Sequence, residues 1–326
     1  MKEKSEKYLK IPAIIAPVKR IDDILPIIQA GAKEIYGGIM DSEWDEILGQ
    51  YVEMNRRSSY GKNANLSGCD ELCEAVRICK ENGAEFHLTM NALQIPQKYH
   101  GYIKKILHRF AEVGGKKVII SDPTLIPIIL SFKLQPVISS CTDVVNITSA
   151  EFYREQMCHR IIFPRDMLLK DIEYITETVP NIEYEAFLMN GACRFHDGCC
   201  LCMHGTTKQG LCDTLDYSSY CVINNSTKDI EELAKYQHNK YKQSYFRGCG
   251  LCAMFRLSRC IDSLKIVGRN ADIDSILSDI RLAKQNLEIA LKCSSEKEYM
   301  AKMIKPKDEE VRCRNHSNCY YKTLSL

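Results

Sequence analysis

The sequence predicts an α/β protein: a closed (β/α)8 barrel of the TIM type, with a cysteine-rich insertion between strands 7 and 8. Three observations predict it. Short apolar runs alternate with amphipathic segments eight times along the 326 residues. Polar residues follow directly after those runs, where a barrel collects its strand-end chemistry. The chain also carries no glycine-rich phosphate loop of the kind that marks an open doubly wound sheet; the YGG turn at 36–38 is too short for one.

Each element has a local cause. Residues 11–16 (IPAIIA) form strand 1, and 21–30 a helix. Residues 34–36 form strand 2, which ends at Gly37 and Gly38. Ser67 caps a helix running to Asn82, with Asp70 and Glu71 in its first turn, where the helix dipole favours negative charge, and Gly83 just past its end. Strand 3 is 86–90. The amphipathic helix 102–113 stops at Gly114 and Gly115. Strand 4 (118–120) leads to a helix over 124–132 that has a proline at its start. Strand 5 (136–138), a helix (148–156), strand 6 (160–163), a helix (168–178) and strand 7 (182–189) follow. Irregular chain then runs from 190 to about 250, before strand 8 (263–267) and a closing helix (271–292). The barrel thus spans 1–292, its cysteine-rich region 190–260, and a tail occupies 293–326.

Composition narrows the class. With 45% hydrophobic residues and a net charge of +2, the chain can bury a large core but has no strong electrostatic drive toward nucleic acid or a membrane surface. No run approaches the roughly 20 apolar residues of a membrane span. The N-terminal MKEKSEKYLK lacks the apolar stretch of a signal peptide. The expectation is a cytoplasmic protein without membrane insertion. Seventeen cysteines in such a chain imply a reducing, oxygen-poor setting, where clustered thiols serve as metal ligands more often than as disulfides.

Nine of them lie between 193 and 260: Cys193, Cys199, Cys200, Cys202, Cys212, Cys221, Cys249, Cys252 and Cys260. The first group follows strand 7 directly and the last precedes strand 8. These strands are neighbours in a closed barrel, so the groups can meet at one site. Thiolates in fours hold iron–sulfur clusters or structural zinc. The pairs Cys199/Cys202 and Cys249/Cys252 have zinc-ribbon spacing, so zinc stays open. Cys69, Cys73, Cys79, Cys158 and Cys293 sit on helical patterns and read as small buried hydrophobes. Cys313 and Cys319 in the tail are either a second metal-binding pair or free thiols.

At this point the sequence resembles the U-32 family, long called collagenase-like peptidases. The resemblance rests on YGG (36–38), TMNAL (89–93), ISDPTLI (120–126), VNITS (145–149), FPRDM (163–167), NGAC (190–193), DGCC (197–200), GLC (210–212), GLC (250–252) and DSLKIVGR (262–269). It implies a [4Fe-4S] cluster on Cys193, Cys200, Cys212 and Cys252, separated by 7, 12 and 40 residues, with Cys221 as the substitute for Cys212. It also implies redox or oxygen-independent hydroxylation of an RNA, peptide or small aromatic substrate more than proteolysis, with a protein partner possible. The family's usual His before Gly-Ala is Asn190 here, the Glu of its KIEGR segment is Val267, and the Glu after the strand-6 Arg is Asp166. These changes mark a divergent branch.

The candidate catalytic residues are the strand-end Arg165, Asn91, Asp122 and Arg269. Arg165, Lys265 and Arg269 suit an anionic substrate, the arginines as bidentate forks; pairing of Lys265 and Arg269 with a barrel carboxylate such as Asp262 is the rival reading. Asn91 and Asp122 would orient a substrate, although Asp122, just before Pro123, equally suits a helix cap. Tyr36 and His196 rank lower. The chain has no HExxH or GxSxG motif, and its eight histidines lack ligand spacing, which argues against a hydrolase. A non-catalytic electron-transfer or structural cluster protein remains the third class.

Overall fold

The structure is a computed structural model that describes residues 11–40, 42–44, 53–193, 196–199, 247–309, 313 and 318–321. Nine strands form in chain order: β1 (Ala13–Pro17), β2 (Glu34–Met40), β3 (Asn65–Ser67), β4 (Glu85–Met90), β5 (Lys117–Ile120), β6 (Gln135–Ile138), β7 (Arg160–Ile162), β8 (Glu183–Met189) and β9 (Ser263–Ile266). Eight of them close a ring in the order β1-β9-β8-β7-β6-β5-β4-β2, completed by pairing of β1 with β2. All ring pairings are parallel. The predicted barrel is therefore the observed fold, and β8 and β9 are its seventh and eighth strands.

Parallel neighbours cannot be joined by tight hairpins, so helices return the chain over the outside. These are α1 (Ile24–Ala30), α2 (Gly68–Glu81), α3 (His100–Glu112), α4 (Ile126–Ser131), α5 (Ile147–Glu155), α6 (Leu169–Thr178), α7 (Met254–Leu257), α8 (Ile273–Lys292) and α9 (Glu296–Lys302). Helix α3 shows how the pattern works. Ile103, Ile106, Leu107 and Phe110 are buried, and Lys104, Lys105 and His108 face solvent. Each such burial is worth about 1.5–3 kcal/mol relative to exposure.

Three features escape the sequence pattern. Strand β3 is a three-residue addition that pairs with the far end of β2, Gly38 opposite Asn65; it is too short to leave a periodic signal. At the start of α2, Ser67 sits at the capping position but its hydroxyl makes no capping bond; its backbone N–H donates to Glu71 Oε2 at 2.7 Å instead. Part of the tail returns to the barrel. The Cys249 N–H donates to the Asn318 carbonyl and the Tyr320 N–H to the Cys249 carbonyl, both at 3.0 Å, which lays 318–320 beside the chain leading into α7.

The barrel interior is charged at its N-terminal end, where folds of this type usually stack bulky aliphatic side chains. Arg160, 2% exposed, donates two hydrogen bonds to Glu34 (2.6 and 2.7 Å), two to Glu183 (2.6 and 3.0 Å) and one to Glu185 (3.1 Å). Ser263 Oγ donates to Glu34 at 2.6 Å, and Lys117 lies 3.3 Å from the same carboxylate. Buried charge survives here because each of these carboxylates meets at least one cation.

Candidate functional site

The opposite end of the barrel, where the strands finish, holds a cavity of about 110 Å³. Its walls come from β2, β4, β5, β7, β8 and β9 and from the loops after these strands and after β6. Asn91, Arg165 and Arg269 all line it, together with Tyr36, Lys265 and Cys193. Sequence reasoning therefore found much of this wall. It missed Arg56 and Arg57, Phe187, Cys141 and Asp197, which also line the cavity. The Arg56–Arg57 doublet was a visible signal, but it lies in a stretch without periodicity.

Arg269 is held by amides. Its Nη1 donates to Asn65 Oδ1 (3.2 Å) and its Nη2 to Asn55 Oδ1 (3.0 Å); the Asn55 amide nitrogen in turn donates to Asn65 Oδ1 (3.1 Å). Gly38 makes this possible: a Cβ there would stand 2.5 Å from Asn55 Nδ2 and 2.6 Å from Arg269 Nη1. Burial pushes the Arg269 guanidinium below its ordinary value, with the Tyr36 hydroxyl opposing; an arginine nevertheless stays charged near neutrality. A buried guanidinium satisfied by neutral amides keeps its charge available to an anion.

Lys265 follows the other reading. Its Nζ donates to Glu185 Oε1 at 2.5 Å and lies 3.9 Å from the centroid of the Tyr36 ring. The carboxylate partner is thus Glu185, not Asp262, which instead accepts from the Tyr184 N–H at 2.8 Å. Burial lowers the Lys265 pKa and Glu185 opposes that shift. Tyr36 donates its hydroxyl to the Ile266 carbonyl at 3.3 Å.

Arg165 is buttressed on two sides. Its backbone N–H donates to Asp197 Oδ2 at 3.0 Å and its guanidinium pairs with the same carboxylate. Its Cζ lies 4.2 Å from the Phe187 ring centroid, and its Nε is buried without a hydrogen-bond partner. Burial alone would lower its pKa, but Asp197 wins and the net direction is up. Asn91 accepts from the Arg56 N–H (3.2 Å) and donates to Ser139 Oγ (3.3 Å). His196 bridges Asp166 (2.6 Å) and Asp143 at the rim; the hydrogen bond to Asp166 raises its pKa.

Asp122 stands apart from the cavity lining. Its Oδ1 accepts from the Thr124 N–H (2.9 Å) and hydroxyl (2.7 Å), and its Oδ2 from the Ile95 N–H (2.7 Å). It is the cap of the following 3-10 turn, and it anchors the loop after β4. Asn190 donates to Asp279 Oδ2 on α8 at 2.6 Å.

The cysteine segments do approach each other along the main chain. The Asn190 N–H donates to the Gly248 carbonyl and the Gly250 N–H to the Leu188 carbonyl, each at 2.7 Å. Cys193 lies on the cavity wall. Burial raises the Cys252 thiol's pKa, with Cys313 adding to the shift and Lys305 opposing it. Cys200, Cys202, Cys212 and Cys221 lie outside the described residues, and so does the side chain of Cys199. Among the described residues, the group with metal-ligand spacing is Glu34, Glu85 and His87, at the opposite end of the barrel. Lys117 Nζ already stands 3.3 and 3.1 Å from those two carboxylates, so their charge is met without a metal.

The profile described as Peptidase family U32 matches residues 19–324. The tRNA hydroxylation protein P of Escherichia coli is 28% identical over 162 residues, 48% of this chain and 36% of that protein. Its counterpart in Haemophilus influenzae is 23% identical over 229 residues, 68% of this chain and 46% of that protein. A protein named collagenase in Porphyromonas gingivalis is 21% identical over 223 residues, 64% and 50% of the two chains. The chain spans half or less of the length of these relatives. The solved U32 peptidase Mk0906 superposes with a TM-score of 0.41 at 13% identity, over 58% of this chain and 72% of that one. Among the described residues no helix is long and apolar enough to cross a membrane.

Proposed function

The chain belongs to peptidase family U32, and from that premise we propose that it is an iron–sulfur protein of redox or oxygen-independent hydroxylation chemistry, acting on an anionic RNA, peptide or small aromatic substrate. Relatives named for tRNA hydroxylation support the reaction class. The observation that carries the reading is the charge of the cavity. Arg56, Arg57, Arg165, Lys265 and Arg269 line it, with Asp197 as the carboxylate among the described lining residues. Such a wall selects a phosphate or carboxylate.

The donor set suits a soft metal centre. Cys193 stands on the cavity wall, and the strand-end bonds bring the chain that bears Cys249 and Cys252 alongside residues 188–190. Cys193, Cys200, Cys212 and Cys252 are the proposed ligands of a [4Fe-4S] cluster, with Cys221 as the alternative to Cys212 and structural zinc as the rival metal. A cluster held by them would supply one-electron chemistry. The protein's own groups do the rest. Arg269 and Arg57 hold the anion, and Asn91 fixes the substrate's orientation through its amide. Lys265 is the cavity cation able to release a proton, since arginine keeps its charge. Ile119, Ile162 and Phe187 supply the apolar surface that excludes water.

The test is metal analysis with electron paramagnetic resonance on anaerobically purified protein. About four irons per chain are expected, lost in Cys193→Ala and Cys252→Ala. Zinc in place of iron overturns the redox reading. Peptide cleavage that survives chelation and thiol blocking restores the peptidase alternative.

A further inference from the structure

We propose that the cavity clamps a dianionic group, a phosphomonoester rather than a phosphodiester or a lone carboxylate, between Arg57 and Arg269, and that Asn55 and Asn65 are the residues that position this pair. The inference deepens the anion reading above and rests on it, but it does not depend on iron.

Five cations line the cavity, and they are not equivalent. Lys265 donates to Glu185 at 2.5 Å, Arg165 pairs with Asp197, and Arg56 Nη1 stands 4.0 Å from Glu53 Oε2. Arg57 and Arg269 have no carboxylate within ion-pair distance among the described residues. Arg269 meets the two amides, and the Arg57 Cζ lies 5.4 Å from the centroid of the Tyr60 ring. Two positive charges thus stay open on one small cavity.

Both are mounted on the same support. Asn55 Oδ1 accepts from Arg269 Nη2 at 3.0 Å and from the Arg57 N–H at 2.9 Å. Asn65 Oδ1 accepts from Arg269 Nη1 at 3.2 Å, and its Nδ2 donates to the Arg57 carbonyl at 2.8 Å. Asn55 Nδ2 joins the two amides at 3.1 Å. Asn55 is fully buried and Asn65 is 1% exposed. Neutral amides fix the two arginines without cancelling either charge; an aspartate at the same place would cancel one. Burial lowers the Arg269 pKa, the Tyr36 hydroxyl opposes that shift, and the Arg57 charge adds to it, as a like charge close by must.

The ligand class follows from charge and size. The cavity measures about 110 Å³, and an apolar cavity of about 150 Å³ holds a benzene, so the clamped group is compact. A phosphomonoester carries nearly two negative charges above its second pKa of about 6, and both lie within one tetrahedron of oxygens. A phosphodiester carries one and leaves a guanidinium unmatched where water is scarce.

The test is isothermal titration of the full chain at about pH 8, where a phosphomonoester is dianionic, with methyl phosphate and dimethyl phosphate as probes. Methyl phosphate should bind at least about tenfold more tightly, the size of one more hydrogen bond to a charged group. Equal binding of the two overturns the dianion clamp and leaves the anion reading standing; binding of neither overturns both. Succinate, whose two charges sit on separate carboxylates, should bind no better than dimethyl phosphate, and succinate binding as tight as methyl phosphate overturns the single clamp. Competition with methyl phosphate by a 5′-phosphorylated RNA trinucleotide would place the group on a chain end, and failure to compete on a free small molecule; either supports the clamp. Asn55→Asp sets a carboxylate against Arg269 at unchanged size, and the preference should shrink to within about threefold. Lys98→Gln removes an exposed charge beside Tyr99 and should keep the preference. An amide with a structural role alone would weaken both probes alike, so a full preference in Asn55→Asp overturns the positioning role. If Asn55→Asp does not fold, Arg57→Gln, at a half-buried position, removes one open charge; the same shrinkage is expected there, and an unchanged ratio overturns the proposal.

Discussion

Replacing Arg160 with methionine tests the charged barrel interior directly. The substitution nearly conserves volume but removes five hydrogen bonds to Glu34, Glu183 and Glu185. Removing one partner of a buried ion pair costs about 3–5 kcal/mol, because the carboxylates left behind remain desolvated. For a domain of this size each kcal/mol moves the melting temperature by about 2–4 °C, so a loss of roughly 6–20 °C is expected by calorimetry. The pH dependence gives the decisive sign. In the wild type, burial pushes the Glu34, Glu85 and Glu183 carboxyls up, but His87, Arg160 and Lys117 hold Glu34 low, His87 and Lys117 hold Glu85 at about 2, and His159, Arg160 and Lys117 hold Glu183 low. Their stabilisation is present above the unfolded value of about 4.3 and fades as pH falls toward the folded values. In Arg160→Met the carboxyls of Glu34 and Glu183 lose one of the cations that hold them low, so their folded values rise and protonation costs the variant less. The gap between the two proteins must then be widest near about pH 7 and narrow toward about pH 4. A gap below about 2 °C, or one that does not change with pH, refutes the argument.

Two other substitutions separate architecture from site. Gly38→Ala places a methyl 2.5–2.6 Å from Asn55, Asn65 and Arg269; it should cost about 1–3 kcal/mol and, in isothermal titration with inorganic phosphate as probe, weaken anion binding, an outcome that identical binding in both proteins would contradict. Asp122→Ala removes a cap and the anchor of Ile95; denaturant melts should show a loss of about 1–3 kcal/mol, while phosphate binding at the cavity stays within about twofold, and a larger loss would move Asp122 into the site.

Local features of this chain are legible in its sequence, and long-range pairings are not. Apolar periodicity is a local property. It located the eight ring strands and their helices to within a residue or two, except that strand 2, read as 34–36, runs on to Met40 through Gly37 and Gly38, and it put Asn91, Arg165 and Arg269 at strand ends, because a strand's polar exit is written in the residues beside it. The cysteine segments flanking β8 and β9 were legible for the same reason. Pairing is not local. Arg160 meets Glu34 across 126 residues, Arg269 meets Asn55 across 214, and Tyr320 reaches Asn190 across 130. Only closure of the ring decides which of several carboxylates a buried cation faces, so Lys265 found Glu185, Arg269 found two amides, and Asp122 turned inward as a cap. The sequence by itself determined that the chain would form a parallel barrel with thiols and cations at its mouth. The tertiary structure alone decided which cations are neutralised and which remain open to an anion, because charge balance is a property of faces that meet in space, and periodicity along one segment does not specify its partner.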